Sequence, residues 1–276
     1  RGVAVEGVDG ENVNLTPENC RKIGCAYVSW LAKKLDVDAE ALRIGVGRDS
    51  RITGPDLADA LMEGMLSAGA SVTDCGMATT PAMFMSIVFP ESNFNGSAMI
   101  TASHLPFNRN GIKFFDDDGG LEHEDITEIL NLAGLLNPAK VNFDVAKLDL
   151  ITIYADYLRN KIADSLKALG EKPLSGLHIV VDSGNGASGF FVDKILSPLG
   201  ADTSGSQFLE PDGMFPNHIP NPENKAAMEA IRSAVLNNKA DLGLIFDTDV
   251  DRMSAVLSDG SEVNRDSIIA MIAAIL

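Results

Sequence analysis

Between residues 42 and 75 two short apolar runs flank a segment of helical period, and this arrangement restricts the fold more than any other feature of the chain. Residues 42–47 (Leu-Arg-Ile-Gly-Val-Gly) run into a polar turn and read as a buried strand. In residues 55–68, Leu57, Leu61, Met65 and Leu66 recur at helical spacing, and residues 70–75 return to β character. Strand, helix and strand in that order form a βαβ unit, the element from which parallel sheets are made. The expected fold class is therefore α/β, with consecutive related βαβ domains and mixed, mainly parallel sheets.

With 276 residues the chain is too long for one ordinary core and suits two α/β domains with a remainder. Residues 96–101 read as a further strand, followed by a polar loop containing Pro106, Asn108, Asn110 and Gly111 and a strand at 112–115. A helix over 123–136 and the Asn137-Pro138 turn close a first domain, expected to span residues 1–145. A helix over 154–169, a strand at 177–181, a helix over 188–196 and a strand at 241–246 make a second domain, residues 146–254. Residues 255–276 are expected to begin a third, and the abrupt start at Arg1 and the apolar final stretch read as cut ends.

The 22 Lys and Arg against 39 Asp and Glu leave a formal charge of −17, which repels nucleic acid and anionic membrane surfaces. An acidic protein that handles an anionic substrate must gather positive charge locally, in a cleft, at a metal ion or at helix N-termini. Cys20, Cys25 and Cys75 form no C-x-x-C pair and suit a reducing compartment as packing residues. No run nears the ~20 apolar residues of a membrane span. The expected location is intracellular and cytoplasmic, or the plastid stroma if a transit peptide has been removed.

Two stretches carry chemistry. Thr101-Ala102-Ser103-His104-Leu105-Pro106 lies just past a strand, where a hydroxyl can be exposed at the sheet edge, with Lys113 ten residues beyond Ser103. A serine beside a histidine with a nearby lysine supplies a nucleophile or phosphate carrier and two proton-transfer groups. For an isolated Ser-His pair a plain surface turn would be the better reading. The second stretch, Asp247-Thr248-Asp249-Val250-Asp251-Arg252, follows an apolar strand. Three alternating carboxylates repel one another unless they share a cation, and hard oxygen ligands suit Mg²⁺. A calcium EF-hand would need Gly and Glu where Arg252 and Ser258 stand. A haloacid dehalogenase-like phosphatase, with Asp247 as nucleophile and Asp249 as acid, is a closer imitator, but only 25 residues follow Asp251 to complete such a core. Residues 184–189 satisfy G-x-G-x-x-G, yet the ribose-binding acid is missing at its usual distance, so a tight turn is preferred to a dinucleotide site.

Together these stretches resemble the α-D-phosphohexomutases: phosphoglucomutase, phosphomannomutase and phosphoglucosamine mutase. Thr101 to Pro106 with Asn110-Gly111-Ile112-Lys113 is similar to the family's phosphoserine loop, Leu105 replacing an Asn. Asp247 to Arg252 is similar to its D-G-D-G-D-R metal loop, with Thr248 and Val250 in place of both glycines. The Gly47-Arg48-Asp49-Ser50-Arg51 turn, Thr79-Thr80-Pro81 and Arg1-Gly2 also look like family signatures. The resemblance implies a phosphohexomutase-like fold with the phosphoserine loop in the first domain and the metal loop in the second. It implies that Ser103 carries a phosphoryl group bridged by Mg²⁺ to Asp247, Asp249 and Asp251. His104 and Lys113 would then transfer protons, and Arg1 and Arg252 would supply positive charge. The implied partner is a hexose phosphate, interconverted between its 1- and 6-phosphates through a hexose 1,6-bisphosphate that also serves as activator. The family's sugar-reading and phosphate-clamping loops are not in the chain, which alone is expected to fold without useful turnover. A bisphosphate synthase of the same family, the phosphatase and a non-catalytic sugar-phosphate binder stay open as alternatives.

Overall fold

In the computed structural model, which describes residues 1–6, 10–141 and 144–275, the chain divides into two units, Arg1–Ile153 and Tyr154–Leu276, each with its own sheet. The first unit opens with β1 (Gly2–Val3) and α1 (Pro17–Leu35). Thr16 caps α1 by accepting from the Asn19 N–H at 3.2 Å, and Pro17 occupies the first turn, where its missing N–H costs nothing. The βαβ pattern forms as β2 (Arg43–Arg48), α2 (Gly54–Ser67) and β3 (Ser71–Met77). It is followed by α3 (Thr80–Met85), β4 (Gly96–Ile100), β5 (Arg109–Asn110), β6 (Ile112–Asp116), β7 (Gly119–Gly120), α4 (His123–Leu135) and β8 (Ala146–Lys147). Helix α5 (Leu150–Ser165) carries the chain across the division.

The strand order β7-β6-β4-β2-β3-β8 has parallel pairs throughout β4-β2-β3-β8 and antiparallel pairs at β4-β6 and β6-β7, so the sheet is mixed and mainly parallel, as expected. One apolar cluster joins α1, α2 and α4 to β2, β3 and β4 through Tyr27, Leu31, Ile44, Leu61, Met65, Val72, Ile100 and Ile129. The buried Tyr27 hydroxyl donates to the Phe115 carbonyl at 2.8 Å while its ring stacks on Phe114, so a polar group enters the core without losing its hydrogen bond.

In the second unit β9 (Ile179–Asp182) pairs in parallel with β10 (Leu242–Phe246), and α6 (Lys225–Asn238) buries Ile231 and Val235 against them. β11 (Met253–Leu257) pairs antiparallel with β10, and α7 (Arg265–Ile275) follows. The expected start of a third domain at residue 255 thus falls inside a strand of this sheet. The helix expected over 188–196 is instead a π-helical turn, Phe191–Leu196: Ser197 N–H bonds the carbonyl of Val192, five residues back, and Phe190 and Phe191 wedge between Tyr154 and Phe246. Helices α1 and α6 have no counterpart among the elements read from the sequence. All three cysteines are free, and burial pushes the Cys20 and Cys75 thiols up to about 12, as suits packing residues. Among the described residues no helix is long and apolar enough to cross a membrane.

Candidate active site

The chain leaves β2 for β3 on one side and returns to β4 on the other, which makes the carboxyl ends of β2 and β4 a topological switch point, where α/β sheets bind ligands. Ser103 lies in the loop after β4 and Asp49 and Arg51 in the loop after β2. Thr101 Oγ1 donates to Asp49 Oδ2 at 2.7 Å and accepts from the Ser103 N–H at 2.8 Å, so the two loops are tied side chain to backbone. Arg51, itself buried, donates through its two terminal nitrogens to the carbonyls of Ser103, Leu105 (2.7 Å), Pro106 (2.8 Å) and Arg109 (2.9 Å), with Nε 3.3 Å from Asp49 Oδ2. One guanidinium thus gathers the carbonyls of the whole serine loop, which holds Ser103 at a left-handed φ of 57°.

The Ser103 hydroxyl is buried rather than exposed at the sheet edge, because the Asp49–Thr101 and Arg51 contacts fold its loop inward. Its Oγ lies 3.2 Å from His104 Nδ1, which accepts the hydroxyl proton when the ring is protonated on Nε2. Lys113, on β6, reaches Thr80 Oγ1 at 3.2 Å. Arg1 is brought to the same region because Gly2 pairs with Asn110: a Cβ on Gly111 would lie 2.9 Å from Arg1 Cγ and 2.8 Å from the Thr101 carbonyl. Gly111 is therefore where strand, serine loop and Arg1 approach too closely for any side chain.

In the second unit Asp247 and Asp249 are fully buried and Asp251 exposed, and one carboxylate oxygen from each lies within 4.8 Å of the others. Burial, then the charges of Asp249 and Asp251, push the Asp247 carboxyl up to about 8. Arg252 donates its backbone N–H to Asp247 Oδ1 at 3.0 Å, and its Nε stands 4.0 Å from Asp247 Oδ2. Asp116, Asp117 and Asp118 form another acidic group, but there Lys34 bridges Asp116 at 2.7 Å and Asp118 at 2.8 Å, so a side chain already supplies the cation. The all-carboxylate donor set at 247, 249 and 251, with its raised Asp247, fits a hard divalent cation such as Mg²⁺. A cavity of about 280 Å³, lined in part by Asp251, Arg252 and Met253, adjoins this loop.

Asp49 and Arg51 are absent from the site residues singled out by sequence, although the charged Asp-x-Arg directly after a buried strand marked the loop. Asp182 and His218 escaped too: the buried His218 Nε2 lies 3.0 Å from Asp182 Oδ1, and their separation of 36 residues gives no local signal.

Residues 3–133 match the family model for phosphoglucomutase/phosphomannomutase, alpha/beta/alpha domain I, and residues 152–260 match that for domain II. A phosphoglucomutase/phosphomannomutase of Thermococcus kodakarensis is 36% identical over 279 residues, covering 97% of this chain and 57% of its own length. A phosphoglucosamine mutase of Lactobacillus delbrueckii is 33% identical, covering 98% of this chain and 59% of its own length. The crystal structure of a phosphoglucomutase/phosphomannomutase family protein from Burkholderia thailandensis superposes with a TM-score of 0.79 at 25% identity, over 99% of this chain and 57% of that one. The chain thus spans between half and three fifths of the length of these relatives. With both units matched in sequence and the fold shared, the chain belongs to the phosphoglucomutase/phosphomannomutase family.

Proposed function

We propose that the chain supplies the phosphoryl-carrying and metal-binding domains of an α-D-phosphohexomutase, which moves phosphate between C1 and C6 of a hexose by way of Ser103. The observation that carries this reading is the serine loop: a hydroxyl at the switch point of a parallel sheet, 3.2 Å from an imidazole nitrogen, on a backbone gathered by the buried Arg51. In the forward half-reaction the bond between Ser103 Oγ and phosphorus breaks as a hexose hydroxyl oxygen bonds to that phosphorus. The hydroxyl's proton passes to a base, for which His104 and Lys113 are the candidates, a proton is delivered to the departing Ser103 Oγ to restore its hydroxyl, and a hexose 1,6-bisphosphate results. The second half-reaction returns the other phosphate to Ser103, so added bisphosphate would act as an activator by phosphorylating empty enzyme.

Asp247, Asp249 and Asp251 would hold Mg²⁺, which when bound neutralises charge on the transferred phosphoryl group. Arg1 and Arg252 add positive charge in a chain of net charge −17, where phosphate would otherwise be repelled. Relatives bear the names of glucose, mannose and glucosamine enzymes, so the proposed substrate class is hexose phosphate. Intact mass spectrometry after incubation with hexose 1,6-bisphosphate tests the carrier. One added phosphate, absent in Ser103→Ala, is the expected result, and phosphate mapped to any other residue overturns the assignment.

A further inference from the structure

β9 and β10 are parallel and in register at Asp182 and Ile245, so the loops that follow them, residues 183–187 and 247–251, leave the sheet side by side. They touch through backbone. Ala187 N–H donates to the Thr248 carbonyl at 2.9 Å, and Gly186 is so close that a Cβ there would lie 2.9 Å from both Thr248 Cα and its carbonyl oxygen. The aspartate loop therefore rests on the 183–187 loop, whose own conformation is demanding: Gly184 and Asn185 both have left-handed backbones, with φ of 50° and 62°.

That conformation is held by a strap from residues 207–220. Asn185 donates to the Glu210 carbonyl and accepts from Asn217, each at 2.8 Å. Asp182 accepts from Gly184 N–H at 2.9 Å, from Gln207 Nε2 at 2.7 Å and from His218 Nε2 at 3.0 and 3.1 Å. The second ring nitrogen of His218, Nδ1, lies 3.0 Å from the Ile219 carbonyl. A carboxylate and a carbonyl only accept, so both contacts are hydrogen bonds at once only when both ring nitrogens donate, and the geometry favours the imidazolium form of His218. Asp182 is the charged group facing the ring; Phe208 meets it edge-on at 5.4 Å, and a Cβ on Gly184 would come within 3.1 Å of it. Burial acts to lower the pKa of His218, but the hydrogen bond and charge of Asp182 and the Ile219 carbonyl outweigh it and raise it above the ordinary histidine value.

We propose that His218 is a positioning residue for the aspartate loop: as an imidazolium clamped to Asp182 it fixes the 183–187 loop, and loss of its proton or its ring loosens divalent-cation binding at Asp247, Asp249 and Asp251. The inference rests on the reading of those carboxylates as a cation site and adds a residue that touches none of them. If protonated His218 favours the cation-bound loop, the bound cation must in turn favour protonated His218, since the coupling of the two binding events is reciprocal.

The test is an NMR titration of the His218 ring in the intact chain, with and without saturating Mg²⁺, paired with calorimetric Mg²⁺ affinities of the wild type and His218→Gln. The expected results are two protonated ring nitrogens at neutral pH, a His218 pKa that rises on adding Mg²⁺, and roughly tenfold weaker Mg²⁺ binding in a folded His218→Gln. A His218 pKa unmoved or lowered by Mg²⁺ overturns the proposal even if the variant does not fold, and so does equal affinity in a folded variant. Failure of the wild type to bind Mg²⁺ overturns the cation-site reading as well, which separates the two failures.

Discussion

Val250 carries a β-branched side chain at φ 66°, a backbone region such residues avoid because Cβ crowds the carbonyl oxygen. The strain is worth about 1–2 kcal/mol, and it persists because Val250 sits 9% exposed between Asp249 and Asp251 in the aspartate loop, where burial of its methyl groups offsets it. Two substitutions separate these effects. Val250→Ala gives up packing and keeps most of the strain, whereas Val250→Gly gives up slightly more packing and releases the strain. Urea unfolding should therefore find the Gly variant at least as stable as the Ala variant, reversing the usual order in which Gly trails Ala by about 0.5–1 kcal/mol. An Ala variant clearly more stable than Gly would show that Val250 is not strained. At this scale the sequence was legible where chemistry is local: the three alternating aspartates stand out by spacing, and Ser103 with His104 stands out only beside them, through its resemblance to the family's serine loop. Arg51 could not, because its partners are carbonyls more than fifty residues along the chain, brought to it only when β4 pairs with β2.

The crossing of α1 over α2 depends on two glycines. A Cβ on Gly24 would lie 2.1 Å from the Leu61 carbonyl oxygen, and one on Gly64 1.9 Å from the Arg21 carbonyl oxygen, so each helix presses its backbone where the other has no side chain. Alanine in a helix is ordinarily better than glycine by about 1 kcal/mol. Here the clash is with backbone, which cannot rotate aside, and overpacking of about 1–3 kcal/mol or more should win. Gly64→Ala is thus expected to lower the urea midpoint, while Gly134→Ala in α4, where nothing lies within 4 Å of the added atom, should leave it unchanged or raise it. A stabilised Gly64→Ala would mean that the helices do not approach this closely. The same elements show what periodicity can and cannot reveal. β2, α2 and β3 alternate between a buried-strand run and a helical face, and their order declares a parallel sheet. α1 escaped although Thr16-Pro17 is a helix-start signal, because its stripe is broken by small residues that serve the close crossing. The π-helical turn at Phe191–Leu196 is set by aromatic packing from Tyr154 and Phe246, partners no local window contains.

For the whole molecule, the acidic balance of −17 makes cations the natural ligands, and the two aspartate triads respond differently. Lys34 already compensates Asp116 and Asp118, whereas Asp247 is driven to hold a proton until a pH of about 8. In the unfolded chain that carboxyl loses its proton near 4. Between these values the folded, cation-free protein binds the extra proton, so this group's contribution to stability is fully present below about pH 4 and is lost as pH rises through about 8. A cation that uses Asp247 as a ligand must displace that proton, and its affinity falls about tenfold, or about 1.4 kcal/mol, for each pH unit below that point. Since a ligand stabilises only to the extent that it binds the folded state, the gain in stability on adding Mg²⁺ should grow from pH 6.5 to pH 8.5 by on the order of 2 kcal/mol. Paired thermal melts with and without Mg²⁺ across that range measure it, with Asp247→Asn as the control in which most of the gain disappears. A gain independent of pH, or one that survives in Asp247→Asn, would place the stabilising cation elsewhere and leave the buried carboxylates of this loop without the role proposed for them.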